Sequence, residues 1–160
     1  MDDKTTQARA FIRAPGAGST LNILGSTHIY KATAAETGGS FSLWEAVFPP
    51  GEGPPPHTHT REDEAFYVLE GELVFEFEGE AEPRRLGPGS FFFGARGRRH
   101  GFRNIGDRPA RMLILSAPSV GLDEMFAELD AASAAGVPEF AKIVGICARY
   151  GITIAPRSPP

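Results

Sequence analysis

The chain has 160 residues, 41% of them apolar, which suits one domain with one sizeable core and is short for two. A formal charge of −4 argues against non-specific binding to nucleic acid or to anionic membranes. A single cysteine, Cys147, excludes an intrachain disulfide framework, and no apolar run approaches the roughly 20 residues of a membrane span. The stretch from Met1 to Gly18 is polar and lacks the apolar region of a signal peptide, so a cytoplasmic location is expected.

In chain order, residues 1–21 read as a loose N-terminal arm, with Pro15-Gly16-Ala17-Gly18 inside it. Short β-prone runs follow at Thr27 to Thr33, Ser40 to Phe48, Ala65 to Leu69, Leu73 to Glu78, Ser90 to Phe93, Arg98 to Arg103 and Arg111 to Ser116. Gly, Pro or charged turns separate them, the spacing of a sandwich or barrel. Leu73, Phe75 and Phe77 share one strand face, and Val74, Glu76 and Glu78 the other. Ala65 to Glu78 is predicted to be a hairpin turning at Gly71. After Pro118 the period changes. Leu122, Met125, Phe126 and Leu129 follow helical spacing, and a second helix is predicted from near Pro138 to Tyr150, stopping at Gly151. The tail, Pro156 to Pro160, reads as extended. Residues 22–118 thus form the predicted β-barrel and 119–160 a short helical appendage with its tail.

Three of the four histidines fall in two short segments. His57 and His59, two apart on extended chain, can face one spot together, after a proline run that restricts their approach. Glu64 follows after a four-residue polar gap, long enough to fold back, and His100 could complete the set. Three imidazoles and a carboxylate suit one divalent first-row metal, whether Fe, Ni, Co, Mn, Cu or Zn. Glu62 and Asp63 read as a solvated acidic loop. His28 lies outside both segments and reads as a non-ligand, and Cys147 as a buried helix residue.

Gly51, His57, His59, Glu64 and Gly71 stand at the spacing G-x5-H-x-H-x4-E-x6-G. Gly89, Gly97, His100 and Asn104 follow a second pattern, with Ala95 where proline is usual. Together these motifs resemble those of the cupin superfamily. The resemblance implies an all-β double-stranded β-helix, or jelly-roll barrel, with a metal held by His57, His59, Glu64 and His100. The run from Pro54 to Leu73 and the segment from Lys142 to Ile152 are similar to bacterial quercetin 2,3-dioxygenase-like proteins. That finer likeness implies oxygenolytic cleavage of a flavonol or similar enolisable hydroxy-ketone by dioxygen, with Glu64 both ligand and catalytic base. A base asks for an elevated pKa, which an apolar barrel can provide.

Parity places Phe66 and Val68 on the face of Glu64, and Phe102 on that of His100, so Phe66, Phe75 and Phe102 are candidate contacts for an aromatic small-molecule substrate. Arg98 shares parity with His100 and could reach inward to a substrate carboxylate. That would fit a competing reading, a metal-dependent isomerase, lyase or decarboxylase. A third reading is a non-enzymatic small-molecule-binding cupin. No nucleic acid or membrane partner is expected. A homodimer is expected from the resemblance, with Thr27 to Thr33 and Ser40 to Phe48 offering edges.

Overall fold

The computed structural model describes residues 8–155. The first part of the expected arm, residues 1–7, and the expected extended tail, residues 156–160, lie outside them. In chain order the described residues form β1 (Thr20–Ile23), β2 (Ser26–Ala32), α1 (Ala34–Thr37), β3 (Ser42–Phe48), β4 (His57–His59), β5 (Asp63–Glu70), β6 (Leu73–Phe77), β7 (Arg84–Leu86), β8 (Phe91–Gly94), β9 (His100–Asn104), β10 (Ala110–Ala117), α2 (Leu122–Ser133), α3 (Phe140–Arg149) and β11 (Ile152–Ile154). The strands make two antiparallel sheets, one in the order β1-β2-β3-β10-β5-β8 and the other β11-β4-β9-β6-β7. This is the all-β jelly-roll barrel that the sequence predicts.

Strict alternation builds the interior. Ser26, His28, Tyr30 and Ala32 of β2, Trp44, Ala46 and Phe48 of β3, and Met112, Ile114 and Ser116 of β10 are all buried. The second sheet answers with Leu73 and Phe75 of β6 and Phe102 of β9. Phe66 of β5 bridges the sheets, its ring 5.7 Å from those of both Phe75 and Phe102. Fully burying a side chain such as Leu73, Phe75 or Met112 contributes roughly 1.5–3 kcal/mol.

Two expectations of pairing change. Gly71 does turn, with φ +86°, but β5 and β6 do not pair with each other. The turn carries the chain from one sheet to the other. A Cβ on Gly71 would stand 2.7 Å from Ala110 Cα, so both the φ and the close approach require glycine there. Neither expected edge is an edge: β2 lies between β1 and β3, and β3 between β2 and β10. The edges of that sheet are β1 and β8, and β8 exposes Phe91 and Phe93.

The C-terminal segment is woven into the barrel rather than appended to it. In α2, Leu122, Met125 and Leu129 are buried, as their spacing predicts. Its Asp123 and Asp130 accept from the backbone N–H groups of Ala34 (2.7 Å) and Asn22 (2.6 Å). In α3, Ile143, Ile146 and Cys147 are buried, while Phe140 stays exposed. Gly151, at φ +81°, ends the helix, and β11 then pairs with β4 over its whole length. No helix among the described residues is long and apolar enough to cross a membrane.

Candidate metal centre

The strand β4 carries two histidines because its residues alternate: His57 and His59 are buried and Thr58 between them is not. On one side β4 meets β9 with His57 opposite His100, and on the other it meets β11, with His59 opposite Ile152. The proline run reaches β9 over Gly101, where a Cβ would stand 2.7 Å from Pro56 N. The His100 ring lies against Gly94, where a Cβ would come within 2.8 Å of its Cε1. Glu64 is the first inward residue of β5, facing the histidines from the other sheet.

The three imidazoles converge on one oxygen. Glu64 Oε2 lies 3.0 Å from His59 Nε2, 3.0 Å from His100 Nε2 and 3.8 Å from His57 Nε2. Their other ring nitrogens are anchored outward. His57 Nδ1–H donates to Pro55 O (2.9 Å) and His100 Nδ1–H to Arg98 O (3.2 Å). A carbonyl can only accept, so Nδ1 carries the proton in both rings and Nε2 is the inward atom. His59 Nδ1–H donates to Glu62 Oε2 at 3.4 Å.

Burial pushes His57 below the usual histidine range, against the pull of Glu64. Burial also works to lower His59, but the Glu64 and Glu62 carboxylates outweigh it and raise it to about 10. For Glu64 burial pushes upward, yet His59, His100 and His57 outweigh that and hold the carboxyl well below its ordinary range. The elevated basicity expected of Glu64 is therefore not present: three imidazoles stabilise its ionised form.

These residues fit a metal ion. One ligand atom from each of His57, His59, Glu64 and His100 lies within 4.8 Å of the others. Two ligands about 2.1 Å from one ion at right angles stand about 3 Å apart, the spacing found from Glu64 to His59 and His100. Outward Nδ1–H anchors on carbonyls and a carboxylate are how histidine ligands are held in position.

His57, His59 and Glu64 also line a cavity of about 630 Å³, whose other walls include Trp44, Phe48, Phe66 and Phe102. The cavity roof comes from Met125, Phe126 and Leu129 of α2 and Phe140, Ile143 and Cys147 of α3, so both helices cover the barrel. Of the expected substrate contacts, Phe66 and Phe102 reach the cavity. Phe75 does not: it is 0% exposed and packs behind them. Arg98 does not reach inward either. It precedes β9 in a turn, where strand parity no longer holds, and it donates to Glu78 from a side chain 68% exposed. Asp63 is solvated as expected, paired with Arg96, but Glu62 beside it is 1% exposed and supports His59. His28, read as a bystander, also lines the cavity.

Comparison with known proteins agrees with this architecture. The family model for the cupin domain matches residues 44–116, the span that includes all four candidate ligands. The chain is 36% identical over 92 residues to the polyketide synthase CurC of Streptomyces cyaneus, covering 58% of this chain and 57% of that one. It is 40% identical over 76 residues to the dimethylsulfoniopropionate lyase DddQ of Ruegeria pomeroyi, covering 48% of this chain and 36% of the lyase. The chain thus spans between about a third and three fifths of the length of these relatives. Among solved structures, KdgF from Halomonas sp. superposes with a TM-score of 0.54 at 28% identity, covering 63% of this chain and 85% of that one.

Proposed function

Because residues 44–116 form a cupin domain, we propose that the protein is a metal-dependent dioxygenase that opens the ring of a flavonol or a similar enolisable aromatic hydroxy-ketone. The observation that carries this reading is the opening of the candidate metal centre onto an aromatic-walled cavity of about 630 Å³. Such a volume lies within the range of pockets for drug-sized ligands. The likeness to a polyketide synthase protein also supports it, since polyketide chains carry enolisable carbonyls.

His57, His59, Glu64 and His100 hold the metal, which when bound supplies a Lewis-acidic centre favouring the deprotonated hydroxy-ketone. Trp44, Phe48, Phe66 and Phe102 exclude water and orient the aromatic rings. Glu64, held ionised, is the carboxylate placed to accept the substrate's hydroxyl proton. Its low basicity restricts it to an acidic hydroxyl, which suits an enol rather than a simple alcohol. Dioxygen is the oxidant, consumed one for one with substrate.

The likeness to a lyase favours a second reading, a lyase or decarboxylase acting on a small carboxylate. Against it, the described residues lining the cavity include no lysine or arginine, and Arg98 faces outward. The test is quercetin under oxygen with the protein loaded in turn with Fe, Ni, Co, Mn or Cu. Loss of the flavonol absorbance with matching oxygen uptake is the expected result. Absence of both with every metal would overturn the substrate class.

A further inference from the structure

His28 stands on β2 at 5% exposure and lines the cavity apart from the four candidate ligands. Its ring is enclosed by aromatic neighbours: Phe126 at 5.3 Å, Phe48 at 5.9 Å and Trp44 at 6.4 Å between centroids. One nitrogen is committed. Nε2 lies 2.9 Å from Ser26 Oγ, and Ser26 Oγ–H donates to Ile23 O at 2.7 Å. The hydroxyl proton is thereby used on the carbonyl, so Nε2–H donates to Ser26 Oγ and Nδ1 carries a bare lone pair.

Nδ1 is buried and has no hydrogen-bond partner among the described residues. The same is true of Trp44 Nε1–H, the donor on the ring stacked beside it. An unmet buried acceptor and an unmet buried donor on one cavity wall are costly unless something binds them. A hydroxyl can do both, accepting from the indole and donating to the imidazole. Burial holds His28 down to about 4, against the opposing pull of Glu64, so the ring is neutral and accepting at pH 7.

We propose that His28 Nδ1 is a second substrate anchor, accepting a hydrogen bond from a phenolic hydroxyl remote from the metal-bound oxygen. The inference rests on the proposed function for its aromatic substrate class, and it makes the site selective for rings bearing that hydroxyl. Sites that hydrogen-bond a hydroxyl discriminate against analogues lacking it, because the buried partner is then left unmet.

The test compares 2-naphthol with naphthalene, by fluorescence titration of the zinc-loaded full chain. The wild type is expected to bind 2-naphthol about tenfold more tightly, the ratio for one good hydrogen bond. In His28→Phe the ratio falls to near unity, and His28→Gln, which returns an acceptor, recovers part of it. Long-range proton–nitrogen spectra of the wild type supply a second measurement that needs no variant. They should show Nδ1 as the unprotonated nitrogen, shifting when 2-naphthol binds. A preference that survives in His28→Phe, an absent preference in the wild type, or a protonated Nδ1 would overturn the proposal. Neither probe reports oxygen consumption. Naphthol selectivity through His28 without flavonol turnover would sink the dioxygenase reading alone, and turnover without that selectivity would sink the anchor alone.

Discussion

Glu62 is 1% exposed and accepts from His59 Nδ1, so its carboxylate orients a ligand without touching the ion. Glu62→Gln should weaken metal affinity by roughly 10–100-fold while leaving the fold intact, measured by competition with a chromophoric chelator. The four candidate ligands were legible because their types and spacing are specific. Glu62 was not, because Arg61-Glu62-Asp63-Glu64 is polar at every position and carries no period. Only the folded turn puts one of those carboxylates inside and pairs the next with Arg96. His28 was hidden for a similar reason: one imidazole in an alternating strand has no motif, and its unmet nitrogen exists only in the packed barrel. It also makes a prediction about acid. Its folded pKa, about 4, is below the unfolded 6.5, so stability is full above pH 6.5 and falls as pH drops toward 4. That loss is about 3 kcal/mol, from a depression of roughly 2.5 units. Chemical denaturation across this pH window should show it in the wild type, and His28→Phe should flatten that part of the slope.

Among the elements, strands long enough to alternate were readable, including β2, β3, β5, β6 and β10. The three-residue strands β4, β7 and β11 were not, since three residues cannot display a period. β4 is a strand because β9 and β11 flank it, and β11 arrives from nearly a hundred residues downstream. Pairing was the other gap. Gly71 announced a turn, but whether a turn closes a hairpin or changes sheets depends on partners far away in sequence. Here β10 and β8 take β5, while β9 and β7 take β6. Gly71→Ala combines an unfavourable φ with a Cβ 2.7 Å from Ala110 Cα. It should cost on the order of 1–3 kcal/mol or more in urea unfolding. A variant as stable as the wild type would show that the corner can relax.

At the scale of the molecule, α2 and α3 convert an open barrel into a covered chamber, with the candidate metal centre among its walls. The helices themselves followed from their apolar spacing. Their position over the barrel did not, because an amphipathic face says that something is covered and not what. Ionic contacts of Arg98, Arg96 and Arg85 stay on the outside, leaving an interior whose polar groups are largely the ligand set and His28. That division of charge makes the metal the organising centre of the chamber. The most direct test is elemental analysis of the purified wild type beside His59→Ala and His100→Ala, each checked for folding by circular dichroism. One equivalent of a first-row divalent metal in the wild type, lost in both folded variants, is the predicted result. A wild type that takes up no such metal under any loading condition, or folded variants that keep a full equivalent, would contradict the account.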